Sequence, residues 1–423
     1  MSPTTAALAR RLGTGDAVVI GLSAMIGAGV FSVFAPAAAA AGSGLLIGLG
    51  VAAVVATCNA LASAQLATAY PTSGGTYVYG REVLGQWWGF LAGWGFVIGK
   101  TASCAAMAMT FAAYAVPAGG WWTRVAAALA VVALTAANLA GITKTATAAR
   151  VLLTLTLSTL LLFVAIAWRF AATNPAVASL PGPHGAHGVL QSAGLLFFAF
   201  AGYARIATLA EEVERPERLS RAIMLALGVA IVVYAAVGVG LIAVLGSDLS
   251  SSATPVAAAV RAAGTAWAAP LVRVGAAAAG LGALLALLAG VGRTTLAMAR
   301  ERDLPGWLAA VERTRQVPQH AQLALGAAVV GLVLVADLRG AIGFSSCGVL
   351  VYYAVANLSA LRQPAHQRQW PRALNVLGLL GCLVLVGSLP WDSLLAGLAV
   401  LAVGLLGRLA LRGRRRRSRA ASG

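Results

Sequence analysis

Charge is sparse in this sequence: Asp, Glu, Lys and Arg together supply 10% of 423 residues, while 60% are hydrophobic. A soluble domain devotes roughly a quarter of its residues to charge, so a soluble enzyme or binding module is excluded. Polar stretches are equally short. The two longest, "EEVERPERLSRA" and "ARERDLPGWLAAVERTRQVPQH", have the length of connections, which leaves no soluble domain between the apolar runs and places function within them. The four cysteines, Cys58, Cys104, Cys347 and Cys382, lie inside apolar runs without paired loop spacing. They read as small packing residues, and no disulfide framework is encoded. The apolar runs hold no HExxH, no Ser/His/Asp set and no paired acids, which argues against an intramembrane enzyme. His184 and His187, in "PGPHGAHG", have no Cys, Asp or Glu beside them. A flexible loop is the better reading there, and neither a metal nor a cofactor is expected.

What is present is apolar sequence in membrane-length runs. Mean hydropathy is +0.86, and runs of about 20 apolar residues, the length that crosses a bilayer, fall at Ala17–Ala40, Gly44–Ala67, Gly85–Tyr114, Val125–Gly141, Val151–Trp168 and Val189–Leu209. The second half continues with Ala222–Leu245, Leu271–Ala299, Ala321–Ala336, Ala341–Leu361, Ala373–Leu389 and Leu394–Leu411. The expected fold is an all-α integral membrane protein of twelve transmembrane helices. The polar start "MSPTTAALARRLGTGD" leads into a span too long for a signal-peptide core, so this span is expected to be retained.

The net charge of +18 would suggest nucleic acid in a soluble protein, but its placement says otherwise. With residues 1–16 cytoplasmic, the inner segments carry 23 basic residues, including Arg81, Arg150, Arg300, Arg302 and the seven arginines from Arg408 to Arg419. The outer segments carry five: Arg124, Arg169, Arg261, Arg273 and Arg339. This is the positive-inside asymmetry of a multi-pass cell-membrane protein with both termini cytoplasmic. The tail, residues 412–423, is expected to anchor topology on anionic lipid, with the bilayer and not nucleic acid as its partner.

Two spans are interrupted. The first, "AMIGAGVF" from Ala24 to Phe31, carries Gly27-Ala28-Gly29 near its middle. Glycine costs about 1 kcal/mol relative to alanine in a helix interior, and a backbone group freed in lipid must find another partner. The sixth, "SAGLLFFAFAGYARIATLAEEVERP", carries Ala201-Gly202 in its middle, with polar residues directly after. These two spans cross the membrane in opposite senses. Interrupted helices at matching positions of two inverted halves mark a transporter substrate site; close helix packing is the alternative reading of either glycine pair alone.

At these residues the sequence resembles the amino acid/polyamine/organocation (APC) permease family. "IGLSAMIGAGVFSVFAPAAAAAG" is similar to the family's opening helix, and "AYPTSGGTYVYGREVLGQWWGFLAGW" to its Pro-x-x-Gly-Gly-x-Tyr segment leading into the third helix. "FFAFAGYARIATLAEEVERPERLSRAI" resembles the sixth helix with its acidic exit, and "GRTTLAMARERDLP" the end of the eighth. The resemblance implies a LeuT-like 5+5 inverted repeat, residues 17–168 and 189–361, with two further helices at 371–411. It implies a secondary amino acid permease working by alternating access. The N–H groups of Ala28 and Gly29, beside Gly27, would take the substrate carboxylate. Carbonyls of Met25, Phe198 and Ala201, beside Gly202, would take its amino group, and Phe198 would be an aromatic lid.

The chain departs from the family pattern at several points. Where many relatives have Gly-aromatic-acid, this chain has Gly202-Tyr203-Ala204 followed by Arg205, and Thr156 falls where some proton-coupled relatives carry a lysine. Lys100 lies 15 residues past Gly85, about 22 Å along a helix, too deep for easy snorkelling. It is either a coupling residue that gains and loses a proton or a structural one. The segment Leu284 to Gly292 offers no hydroxyl or carboxylate to a hard cation, so coupling to protons or exchange is expected rather than to sodium; a register shift would bring in Thr294 and Thr295. Arg205 argues against cationic cargo and for neutral amino acids, with acidic ones second. Glu211 and Glu212, in a mixed charge run otherwise read as a solvated loop, are gate candidates. A polyamine or organic amine antiporter and a non-transporting membrane sensor are the alternatives.

Overall fold

The computed structural model describes residues 13–70, 74–117, 119–141, 146–174, 182, 184–203, 219–312, 315 and 317–420. Helices dominate them. The first expected span is three helices in series, α1 (Thr14–Met25), α2 (Gly29–Ser32) and α3 (Phe34–Ala41), followed by α4 (Leu45–Ala69) and a short α5 (Thr76–Leu84). Next come α6 (Gln86–Ala115), α7 (Gly120–Leu139), α8 (Ala146–Thr173) and α9 (Gly185–Phe200). After the sixth span stand α10 (Leu219–Leu245), the short α11 (Pro255–Ala262), α12 (Ala269–Arg300), α13 (Gln319–Val335), α14 (Leu338–Arg362), α15 (Arg372–Ser388) and α16 (Trp391–Ala420). Among the described residues nine helical segments are long and apolar enough to cross a membrane, and α9, α13 and α15 are shorter apolar helices. Together these correspond one for one to the twelve expected spans. Two features differ from expectation. The third span is preceded by a separate helix, α5, set off by Gly85 at φ 100, and the last helix runs on to Ala420, arginine being a good helix former.

Local chemistry sets the helix ends. Asp337 caps α14 by accepting from the Gly340 N–H at 3.0 Å, and prolines open α11 and α12, where a missing N–H is harmless. Of ten tryptophans, nine are exposed. Following the alternating helix directions, Trp87, Trp88, Trp307 and Trp370 stand at one end of the bundle, and Trp121, Trp122, Trp168, Trp267 and Trp391 at the other. Two such levels are the aromatic belts of a membrane protein. Between them the exposed residues are apolar, among them Leu129, Val132, Leu161, Leu380 and Leu406, as a lipid-facing surface requires.

With lipid outside, packing depends on close approach rather than on expulsion of water. The core helices α6 and α14 touch through glycines: a Cβ at Gly348 would lie 2.6 Å from the Gly95 oxygen and 2.9 Å from the Gly99 Cα. The tenth tryptophan, Trp94, donates to the Val400 carbonyl at 2.8 Å and so fastens α16 to α6.

Gly348→Leu is therefore expected to destabilise the bundle by about 1–3 kcal/mol or more, seen as a lowered melting temperature in detergent. Gly387→Leu, at an exposed position with nothing within 4 Å of the added Cβ, is expected to leave it unchanged.

Candidate functional site

The first interruption lies where the glycines stand. The last α1 bond runs from the Ile26 N–H to the Leu22 oxygen at 2.7 Å, and Ile26 then leaves helical geometry at φ −83, ψ 57. From Gly29 the helix restarts, with Ala28 O accepting from the Phe31 N–H at 3.1 Å and from the Ser32 hydroxyl at 3.0 Å. Pro36, which has no N–H to offer Ser32, accounts for the second interruption at Val33. Among the described residues, the N–H groups of Gly27, Ala28 and Gly29 make no backbone hydrogen bond. In the sixth span α9 stops at Phe200 and Ala201 to Tyr203 form a turn; the remainder of that span lies outside the described residues.

The two interruptions touch. A Cβ at Gly202 would lie 2.4 Å from the Ala24 carbonyl carbon and oxygen and 2.6 Å from the Met25 nitrogen. One at Gly29 would meet the Ala199 Cα at 3.1 Å and the Phe198 ring at 3.6 Å, and one at Gly27 the Ala283 Cβ of α12 at 3.0 Å. Glycine at these three positions is what lets three segments of backbone converge.

Side chains from other helices serve the freed carbonyls. The Tyr234 hydroxyl of α10 reaches Met25 O at 2.7 Å and Ala199 O at 3.0 Å, so its one proton bridges both interruptions. Tyr114 of α6 donates to Phe31 O at 3.1 Å. Lys100, only 6% exposed, donates from Nζ to Ala201 O at 3.0 Å, and the Tyr353 hydroxyl lies 3.5 Å from the same oxygen. An ammonium at the C-terminal end of α9 also meets the negative pole of the helix dipole. Rings close around these contacts, with Phe200 and Tyr234 centroids 4.9 Å apart and Tyr203 and Tyr353 also 4.9 Å apart.

The structure thus brings together Met25, Gly27, Ala28, Gly29, Phe198, Ala201, Gly202 and Lys100. Thr156 is buried on α8 and spends its hydroxyl proton on its own helix, at Leu152 O, 2.8 Å away. Arg205, Glu211 and Glu212 lie outside the described residues. Tyr234, Tyr114 and Tyr353 were missed in the sequence. Tyr234 did leave a signal, as the lone polar side chain in the run from Ala222 to Leu245, where a buried hydroxyl needs a partner.

A second polar cluster stands at one end of the bundle. Arg302, at φ 60, turns the chain after α12 so that buried Asp303 meets Arg81 of α5 at 2.8 Å, Arg408 of α16 at 2.6 Å and the Tyr77 hydroxyl at 2.9 Å. Arg81 also pairs with Glu301 at 2.9 Å. Arg408 lies over the rings of Trp87 and Phe90, 4.6 and 4.7 Å from their centroids. Burial, with the Asp303 carboxylate beside it, pushes the Tyr77 phenol up, which keeps it a donor to Asp303.

Tyr234→Phe removes the one proton that serves both interruptions and leaves two buried carbonyls without it. The expected cost is about 1–3 kcal/mol, read as a lower melting temperature, with a larger loss of ligand-induced stabilisation than of fold.

These features have relatives. The family model described as amino acid permease matches residues 12–405. An uncharacterized transporter of Mycobacterium tuberculosis is 57% identical over 400 residues, covering 94% of this chain and 90% of the relative. The branched-chain amino acid permease BcaP of Bacillus subtilis is 28% identical over 433 residues, 94% of this chain and 92% of the relative. The vacuolar cationic amino acid transporter 4 of Arabidopsis thaliana is 27% identical over 378 residues, 84% of this chain and 63% of the relative. With the family match running nearly end to end over a bundle of apolar helices, the chain belongs to the amino acid permease family of the APC superfamily, a family of membrane transporters.

Proposed function

We propose that this permease carries a neutral amino acid across the cell membrane by alternating access, coupled to protons or exchange and independent of sodium. The observation that carries the reading is the contact between the two helix interruptions, with three N–H groups uncommitted beside it among the described residues. A zwitterion supplies what such a place lacks: a carboxylate for the N–H groups of Ala28 and Gly29, and an ammonium for the carbonyls that end α9. Phe198, packed on Gly29, is the lid. In this reading residues 17–168 and 189–361 are the inverted halves, and the termini and the Asp303 cluster face the cytoplasm. The tail from residue 412 then lies on anionic lipid.

Two observations support independence from sodium and a preference for neutral cargo. The face of α12 against Gly27 is formed by Ala279 and Ala283, and Thr294, eleven residues beyond Ala283, lies about 16 Å further along the helix. Side-chain hydroxyls that could serve a hard cation are therefore distant from the interruption on that side. The relatives' names point to both branched-chain and cationic substrates; the interruptions are lined by Ala199, Phe198, Ala279 and Ala283, with no carboxylate among the described residues there to hold a cationic side chain, which favours the former. The same lack weighs against a polyamine antiporter.

Proteoliposomes holding the purified protein are expected to take up radiolabelled neutral amino acids, which a non-transporting sensor would not do. Replacing sodium by choline at constant pH is expected to leave the rate unchanged, and arginine is expected to be a poor substrate. Collapse in choline or preferential arginine uptake would overturn the corresponding part of the reading. Gly29→Val is expected to cut uptake at least about tenfold while the protein still elutes as a folded species; undiminished uptake would refute the site.

A further inference from the structure

Three charged side chains are buried among the described residues: Lys100, Asp303 and Arg408. Asp303 and Arg408 are partners of each other. Lys100 is held by a neutral carbonyl instead. Its ammonium has three protons to donate, one is placed on Ala201 O, and no carboxylate lies near it among the described residues. The ionisable groups around it are Cys104 one turn along α6, Tyr353 on α14 at the same carbonyl, and Tyr203 in the turn after α9. Cys347 of α14 faces Gly397 of α16 instead, and α12 carries no ionisable residue between Arg273 and Arg293. The last four carbonyls of a helix are its strongest free acceptors, and here Lys100 occupies the terminal one, the same one that the proposed function gives to the substrate amine.

We propose that Lys100 is a tethered competitor for the substrate's amino group: it holds the Ala201 carbonyl while the site is empty, and a zwitterionic amino acid displaces it as Lys100 gives up a proton. This rests on the proposed amino acid site and states how that site is coupled. The exchange balances. Lys100 changes from ammonium to amine, its proton leaves to water on the side from which substrate entered, and the substrate ammonium takes its place at the carbonyl. When substrate leaves on the other side, Lys100 regains a proton from that side. Proton flux then opposes substrate flux, and an inward proton gradient drives amino acid out. A carboxylate without an amine has no such requirement and prefers the protonated site.

The test uses titration calorimetry on the purified full chain, in two buffers of different ionisation enthalpy, with L-leucine and with 4-methylpentanoate, its counterpart lacking the amine. For leucine, about one proton is released per molecule bound at low pH, and affinity rises about tenfold per pH unit until Lys100 is deprotonated. For 4-methylpentanoate the slope has the opposite sign. Lys100→Met is expected to bind leucine with no proton release and a flat pH profile. Lys100→Arg, which keeps its proton throughout, is expected to lose leucine binding at least about tenfold while retaining 4-methylpentanoate. This second variant keeps the buried charge, so the test stands even where Lys100→Met fails to fold. In proteoliposomes an acid interior is expected to accelerate leucine entry.

Leucine binding by wild type without proton release, wild-type leucine affinity in Lys100→Arg, or acceleration by an acid exterior would each overturn the competition and leave the amino acid reading standing. No binding of leucine, alanine or glutamate by wild type or Lys100→Met would overturn both.

Discussion

A backbone N–H or C=O released from its helix inside a bilayer has no water to turn to, and it must be answered from within the protein. Most of what distinguishes this bundle follows from that constraint. The first and sixth spans both release such groups, and the fold sets the two interruptions against each other rather than apart. Tyr234, Tyr114 and Lys100, from α10 and α6, then supply protons to the carbonyls at Met25, Ala199, Phe31 and Ala201. Each donor comes from a helix that is itself uninterrupted, so rigid elements hold the irregular ones. The N–H groups at Gly27 to Gly29 receive no such answer from the described backbone, which makes this side of the interruption the place where a ligand has most to offer.

Glycine does two different jobs here. At Gly95, Gly99 and Gly348 it lets two regular helices approach until backbone meets backbone, the usual way to gain contact where lipid competes for every apolar surface. At Gly27, Gly29 and Gly202 it removes side chains from the meeting point of the interrupted segments. The first use is structural and spread along α6 and α14. The second is confined to one level of the bundle, and that confinement separates a site from a packing motif.

Much of this was legible in the sequence. Apolar runs of membrane length marked all twelve spans, because burial in lipid demands them, and Gly27-Ala28-Gly29 and Ala201-Gly202 marked the interruptions, because lipid penalises helix breakers without a purpose. The depth of Lys100 was readable by counting residues at a fixed helical rise. What stayed hidden were relations between elements. No pattern in α10 says that Tyr234 spans the carbonyls of two other helices, and nothing in the exposed-looking "ARERDLP" says that Asp303 turns inward to two arginines. The α5 helix left no mark of its own, because nine residues of mixed character carry too little periodicity to stand out. The extra interruption at Val33 was written in Pro36, but an alanine-rich run hid it.

The buried charges show how the fold divides rigidity from response. Asp303 is bound by Arg81, Arg408 and Tyr77 at once, which joins α5, the end of α12 and the last helix into a single clasp. Removing Asp303 would strand the buried Arg408 charge, so this end of the bundle is held by interactions that are expensive to break. Lys100 is held differently. A carbonyl satisfies one of its protons without neutralising its charge, so the contact can be exchanged for a similar one when another ammonium arrives or when the proton leaves. A matched ion pair suits a clasp, whereas a charge resting on a neutral dipole suits a position that must change occupant. The chain places the first at the end of the bundle and the second beside the two interruptions at its centre.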